Sequence, residues 1–190
     1  YVVDVSGHGV PSALLSVSVT RSLLPGAEST SLVTAPSLEP SGSTIVSPAE
    51  VAKRLNGLYP MDARNRQYFT LLYGVLDTEE RRLSCICAGH PGPVLIRAGQ
   101  PPRVFDMPAI PIGMMDGTTY TDTVIELQPG DRLYLYSDGV TEETNPDDVP
   151  FENERLFKTL DGARAQTLDQ SVEVLVDAVL SWNGHERLSD

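Results

Sequence analysis

The chain opens on Tyr1-Val2-Val3-Asp4-Val5, an apolar run broken by one acid, which reads as the end of a buried strand. Ser6-Gly7-His8-Gly9 then has turn composition. Pro11 stands where a helix can start, since proline is tolerated in the first turn. Ala13, Leu14, Val17 and Leu24, with Leu15 and Val19 beside them, form a broad apolar stripe at helical spacing that should face the core. That helix should stop before Pro25-Gly26. Residues 26–47 are rich in Ser, Thr, Pro and Gly with little periodicity, so they read as a long loop inserted in the domain. Ser47-Pro48-Ala49-Glu50 predicts a second helix: serine cap, proline first, glutamate three beyond the cap. Val51, Leu55 and Leu58 should supply its buried face.

From Tyr68 the period becomes that of strands. Tyr68 to Asp77 and Arg81 to Ala88 predict a hairpin across Asp77-Thr78-Glu79-Glu80. Gly92 to Arg97 and Arg103 to Asp106 predict another around Ala98-Gly99-Gln100. Thr121 to Leu127 alternates, and Pro129-Gly130-Asp131 turns into a buried strand over Arg132 to Ser137. Asp169 to Trp182 reads as a late helix with Val172, Leu175, Val176, Val179 and Leu180 inward. Short turns between neighbouring strands imply antiparallel sheets and an α+β class. The pattern leaves open whether the helices cover a sandwich on both faces or a single sheet on one.

With 190 residues and 41% hydrophobic content, the chain suffices for one filled core, and it is read as one domain over 1–190. No apolar run approaches the roughly 20 residues needed to cross a bilayer. The net charge of −12 disfavours nucleic acid and anionic membranes as partners. An acidic chain can still act on an anionic substrate where metal ions invert the local charge. Cys85 and Cys87, two apart on one strand, lie on one face and are poorly placed for a disulfide. They read as reduced, buried thiols of a cytoplasmic protein. The chain starts without Met inside an apolar run, as a piece of a longer polypeptide would.

Three aspartates carry the candidate chemistry. Asp4 follows an apolar run and precedes Ser6-Gly7-His8-Gly9, Asp138 ends Leu133-Tyr134-Leu135-Tyr136-Ser137 and precedes Gly139, and Asp190 closes the chain. An Asp-Gly at a strand end is ordinarily only a turn. A carboxylate on a stiff strand end beside glycine-containing backbone also suits Mg²⁺ or Mn²⁺, with room for a phosphate to approach.

Residues 1–15, from Tyr1-Val2-Val3-Asp4-Val5-Ser6-Gly7-His8-Gly9 to Leu15, resemble the signature loop of the SpoIIE/RsbU-like branch of the PPM-type metal-dependent protein serine/threonine phosphatases. Phe69 to Asp77, Ala88-Gly89-His90-Pro91-Gly92-Pro93, Ile112-Gly113 and Gly130 to Glu142 agree with that family in order. The resemblance implies two packed, mainly antiparallel sheets flanked by helices, an αββα sandwich, here without edge strands at both ends. It implies two Mn²⁺ or Mg²⁺ ions, with Asp4 bridging both, Val5 adding its carbonyl oxygen, Asp138 binding one and Asp190 joining it. A further upstream acidic motif of the family has no counterpart after Tyr1.

In such a centre, metal-activated water attacks phosphorus in line and no residue becomes phosphorylated. His8 is the candidate acid for the leaving oxygen, with loop-stabilising hydrogen bonds as its ordinary alternative. His90 is expected to hold a turn, His185 to be solvated, and Thr141 and Glu142 to orient Asp138 or nearby waters. The resemblance implies a phosphorylated protein substrate, an anti-sigma-factor antagonist, and an upstream sensor or receiver domain. The rival from another class is a phosphatase-like binding module without activity. A hydrolase of small phosphoesters fits less well, for want of clustered basic residues among the 14 Lys and Arg.

Overall fold

The computed structural model describes residues 1–25, 31–37, 43–61 and 67–184. The described chain forms two compact units. The first holds residues 1–90 and 107–127, the second residues 91–106 and 128–190. Every strand pairing in both is antiparallel, as the short turns required.

The first unit is built on a four-stranded sheet in the order β1-β4-β5-β8: β1 (Val2–Val5), β4 (Phe69–Asp77), β5 (Arg82–Ala88) and β8 (Thr123–Glu126). Asp77 makes the β4–β5 turn by accepting from the Glu79 and Glu80 amides at 3.1 and 2.9 Å. The period of two sorts the sheet's faces. Phe69, Leu71 and Tyr73 of β4 and Ile86 and Ala88 of β5 pack on α1 (Val10–Ser22) and α2 (Pro48–Leu58) through Val19, Val51 and Leu55. Each fully buried Leu or Phe here contributes about 1.5–3 kcal/mol. Leu72, Leu83, Cys85, Cys87 and Ile125 are buried on the other face.

Helix α2 starts as its cap signal requires, with the Ser47 hydroxyl accepting from the Glu50 amide at 3.3 Å. Its buried face is Val51, Ala52 and Leu55, whereas Leu58 is exposed. Helix α1 also turns differently from the expected stripe. Ser12, Val19 and Leu23 are buried with Leu15 partly so, while Leu14 and Val17 face solvent. A helix apolar on nearly all sides gives the period no face to select. Within 26–47, where loop was expected, β2 (Thr34–Pro36) and β3 (Ser43–Ile45) pair as a ribbon.

The second unit carries a three-stranded sheet, β7-β6-β9: β6 (Val94–Ile96), β7 (Arg103–Val104) and β9 (Arg132–Tyr134). Its core joins Val94, Ile96, Tyr134 and Tyr136 to Leu156 and Leu160 of α4 (Glu152–Gly162) and Val179 of α5 (Leu168–Asn183). The pattern missed α4, which has two fully buried leucines four apart, no side-chain cap and, apart from Phe157, a polar remainder. Helix α5 begins with a capping box between Thr167 and Gln170. Val172 and Val176, expected inward, are exposed, and Leu175 and Val179 carry the packing. The strand expected to reach Ser137 ends at Tyr134. A short helix, α3 (Asp138–Glu142), follows.

Candidate metal centre

Asp4 lies on β1, an edge strand in its sheet, opposite Thr70 of β4. Val3 and Val5 point into the first core, so alternation sends the Asp4 carboxylate to the other face, where it is exposed. Beyond Val5 the β1–β4 pairing is prolonged by one reciprocal contact. The Ser6 amide donates to the Tyr68 carbonyl at 3.0 Å, and the Ser6 hydroxyl accepts from the Tyr68 amide at 2.9 Å. The Ser12 hydroxyl then donates to the Ser6 carbonyl at 3.2 Å and accepts from the Gln67 side-chain amide at 3.0 Å. This network pins the loop after Asp4 from both sides. Gly7 and Gly9 take φ of 83° and 86°, a region that side chains with a Cβ seldom enter, so the loop doubles back at two residues. Gly9 caps α1 without a side-chain hydrogen bond. His8, between the two glycines, is exposed.

Asp138 does not end a strand. It is the first residue of α3, four residues past the end of β9, and is half-buried. An acid in the first turn is favoured by the helix dipole. The Thr141 hydroxyl donates to the Asp138 carbonyl at 3.0 Å, so Thr141 steadies the main chain of α3. Glu142 is exposed at the end of α3. The Tyr134 and Tyr136 hydroxyls anchor the approach to α3, meeting Ser171 at 2.7 Å and Asn153 at 3.1 Å.

Asp4, Val5 and His8 thus belong to the first unit, and Asp138, Thr141 and Glu142 to the second. Asp190 and His185 lie outside the described residues. Among the described residues no three His, Cys, Asp or Glu side chains gather as a metal site. With Asp190 outside them, the family's donor set reduces to two carboxylates and a main-chain carbonyl, too few for such a group. Those donors are all hard oxygen, the chemistry that fits Mg²⁺ or Mn²⁺.

The other motif blocks are structural. Gly89 has φ 69°, donates its amide to the Ala109 carbonyl at 2.8 Å, and would place a Cβ 2.4 Å from Pro111. His90 is buried at this turn. Ile112 exchanges two main-chain hydrogen bonds with Phe69, and the Gly113 amide donates to Asn56 Oδ1 at 2.8 Å. Burial pushes the Cys85 thiol up to about 11, with Asp122 adding to it. Burial pushes Cys87 to about 12, with Cys85 adding to it. Both are buried and in no disulfide, as expected, and burial disfavours their thiolate forms at neutral pH.

The family model described as stage II sporulation protein E (SpoIIE) matches residues 1–190, the whole chain. The chain belongs to the SpoIIE family. This places it on the SpoIIE/RsbU-like branch of the PPM-type phosphatases. Among SpoIIE-family relatives, the phosphoserine phosphatase RsbP of Bacillus subtilis is 26% identical over 147 residues, covering 75% of this chain and 33% of RsbP. The phosphoserine phosphatase RsbU of the same organism is 23% identical over 181 residues, covering 94% of this chain and 49% of RsbU. The chain therefore spans at most about half the length of these relatives. The PP2C domain of SiaA from Pseudomonas aeruginosa superposes with a TM-score of 0.77 at 21% identity, over 99% of this chain and 70% of that one. The catalytic domain of the serine/threonine phosphatase PstP, solved with two manganese ions, gives 0.60 at 16% identity over 96% and 80%. These likenesses establish the PP2C fold.

Ser12 and Gln67, which hold the loop after Asp4, went unremarked in the sequence. A polar residue in phase with Leu15, Val19 and Leu23 was the available signal for Ser12. Gln67, from the segment ahead of β4, has no local signal.

Proposed function

We propose that this chain is a metal-dependent protein serine/threonine phosphatase that hydrolyses phosphoserine or phosphothreonine on a bacterial signalling protein. The observation that carries the reading is the whole-chain family match together with where the motif residues stand: Asp4 and Asp138 on anchored segments, both thiols buried. Asp4, the Val5 carbonyl, Asp138 and Asp190 would hold two Mn²⁺ or Mg²⁺ ions. When bound, such ions acidify a water and neutralise phosphoryl charge. The chain's own part is to hold the carboxylates still through the Ser6–Tyr68 and Ser12–Gln67 contacts and the tyrosine anchors before α3. His8, which is exposed, would give a proton to the departing serine oxygen. Gly7 and Gly9 keep the backbone bare where a phosphate would approach.

The substrate we propose is a phosphorylated anti-sigma-factor antagonist in the cytoplasm, with control from an upstream sensor or receiver domain. The proposal takes residues 1–190 as one phosphatase domain, with 26–47 an insertion within it. The names of RsbP and RsbU support the phosphoserine part of this reading.

The test is phosphate release from a phosphoserine protein by the full parent protein with Mn²⁺, beside Asp138→Asn, Asp4→Asn and a chelator control. Metal-dependent turnover lost in both variants is the expected result. A folded, Mn²⁺-loaded protein without turnover on any phosphoprotein would point instead to a phosphatase-like binding module.

A further inference from the structure

A groove opens on the helix-bearing face of the first sheet, beside its edge strand β8. Val75 pairs with Ser84 and Ser84 with Val124, so these three side chains stand in one row across β4, β5 and β8. Ile45 and Val46, at the end of the β2–β3 ribbon, and Pro48, at the start of α2, face this row across a cavity of about 350 Å³. Val124 is 53% exposed and Ile45 64%, so the groove is open to solvent along an apolar lining. Asp77 and Arg82, ion-paired at 3.7 Å, stand at one end.

The backbone of β8 offers hydrogen bonds beside this groove. β8 is the last strand of its sheet. The Leu127 amide donates to the Arg81 carbonyl at 2.8 Å, which fixes the phase of the β5–β8 ladder. Hydrogen-bonded pairs alternate along an antiparallel ladder, so Thr123 and Ile125 turn their main chain to β5 and Val124 turns its own outward. Among the described residues no hydrogen bond meets the Val124 amide or carbonyl. An extended segment laid along β8 would exchange both hydrogen bonds with Val124 and point one side chain into the groove. Charge decides which segment. Asp122, Val124 and Glu126 share a face by alternation, and the Ala49 amide holds Asp122 there by donating to its Oδ1 at 2.6 Å. In a second copy paired antiparallel about Val124, Asp122 would meet Glu126, and like charges directly opposite are destabilising. Paired about Ile125 instead, each Val124 would lie opposite a Glu126. The same two acids favour a partner with cations two residues either side of the position opposite Val124.

We propose that β8 and its groove are a docking site for an extended segment of a partner protein, with a large apolar residue opposite Val124 and Lys or Arg two residues to either side. The segment runs antiparallel to β8, like every other pairing in the fold. Its apolar side chain fills the cavity against Ile45, Val46 and Val75, and its two cations face Asp122 and Glu126. Main-chain hydrogen bonds supply affinity in such strand additions, and alternate side chains supply specificity. Lys and proline, common guards of an exposed edge, are absent from β8. The site lies in the first unit and uses none of the candidate metal donors.

The experiment is fluorescence anisotropy on the full parent protein with a labelled peptide, Thr-Lys-Thr-Leu-Thr-Lys-Thr. Saturable binding is expected, and its absence overturns the site. N-methylation of the Leu amide removes the donor to the Val124 carbonyl and should weaken binding about tenfold or more, whereas the same change on the next Thr, whose N–H points away, should cost less than about threefold. Equal losses overturn the strand pairing. Glu in place of both Lys should cost at least about tenfold, and unchanged binding overturns the assigned occupant. On the protein side, Val124→Lys should weaken the unmodified peptide about tenfold or more. Glu126→Gln should weaken it about two- to fivefold. Glu79→Gln, the same charge change at the exposed β4–β5 turn, should leave it unchanged. A silent Val124→Lys, or equal effects of the two Gln variants, overturns the proposal. Should Val124→Lys fail to fold, the two methylated peptides decide on the unaltered protein. A parent dimer in sedimentation that Val124→Lys disperses would give the edge to a second copy and overturn the proposal. None of these readouts uses phosphatase turnover, so failure here leaves the function proposed above standing.

Discussion

Arg97 and Asp131 meet as a fork, Nε to Oδ1 at 2.9 Å and Nη2 to Oδ2 at 2.6 Å, at the end of the β6–β9 pair. The Gln128 amide adds a third hydrogen bond to the same carboxylate at 2.8 Å. Asp131 was legible as the last residue of a Pro-Gly-Asp turn, and the structure shows that its side chain also closes the sheet edge. The hydrogen bonds from Arg97 hold the Asp131 carboxyl below its ordinary value. A depressed folded-state pKa gives stability that is present above the unfolded value, about 3.9, and is lost as pH falls through the folded one. The urea midpoint of the parent should therefore fall more steeply below about pH 4 than that of Asp131→Asn. Parallel curves for the two would show that the fork is not what titrates.

Gly113 is the tightest test of the first core. Its φ is 88°, and an added Cβ would sit 2.3 Å from the Tyr59 carbonyl oxygen. The Met61 amide donates to the Gly113 carbonyl at 2.8 Å, so the two segments cannot simply part. Gly113→Ala should cost at least about 1–3 kcal/mol from the backbone conformation alone, with the clash added. Thermal unfolding reads this directly, and a midpoint within a degree of the parent would contradict the close approach.

How much of this was visible in the sequence depended on how local each signal was. The Ser47 cap, the Asp77 turn and the β4–β5 hairpin rest on residues within a few positions of one another, and all appear as expected. The faces of α1 and α5 were misassigned because both helices carry apolar residues on more than one side. Leu14 and Val172 then fit the period as well as Val19 and Val179 do. Asp138 was recognised but placed on a strand, since Leu133 to Ser137 has strand composition while the ladder stops at Tyr134. The Glu143–Asn183 contact joins residues 40 apart, and no periodicity reports such a pairing.

The buried thiols give a prediction about reactivity. With Cys85 pushed up to about 11 and Cys87 to about 12, the thiolate fraction at pH 8 is below that of a free cysteine by at least about a hundredfold. Alkylation of the native protein by iodoacetamide should be slower than in urea by that factor or more. A phosphatase activity that survives the reagent would agree with a mechanism that uses no thiol. Rapid native labelling of either cysteine would contradict its burial.

His8 can be separated from a merely structural loop residue by choice of substrate. If its imidazole protonates the departing serine oxygen, His8→Ala should lower kcat about 10²–10⁴-fold on a phosphoserine protein. p-Nitrophenyl phosphate has a leaving group that needs no proton, so the same variant should lose far less on it. Equal losses on both substrates would assign His8 to holding the Ser6–Gly9 loop.

Ser12 tests whether that loop is held from α1. Ser12 is 8% exposed, and its hydroxyl spans two partners, the Ser6 carbonyl at 3.2 Å and the Gln67 side chain at 3.0 Å. Ser12→Ala leaves both without this contact, at about 1 kcal/mol, which for a chain of this size is a drop of about 2–4 °C in the metal-free unfolding midpoint. Ser6 also carries the last main-chain contact between β1 and the residues leading into β4, so loosening it frees the segment that bears Asp4 and Val5. Mn²⁺ affinity measured by titration should then fall several-fold beyond what the lost stability explains. Ser12→Thr keeps the hydroxyl and should restore affinity if its extra methyl is accommodated beside Gly7, whose own Cβ position lies 3.5 Å from Ser12 Oγ. A stability loss with Mn²⁺ affinity unchanged would mean that Ser12 serves only the packing of α1.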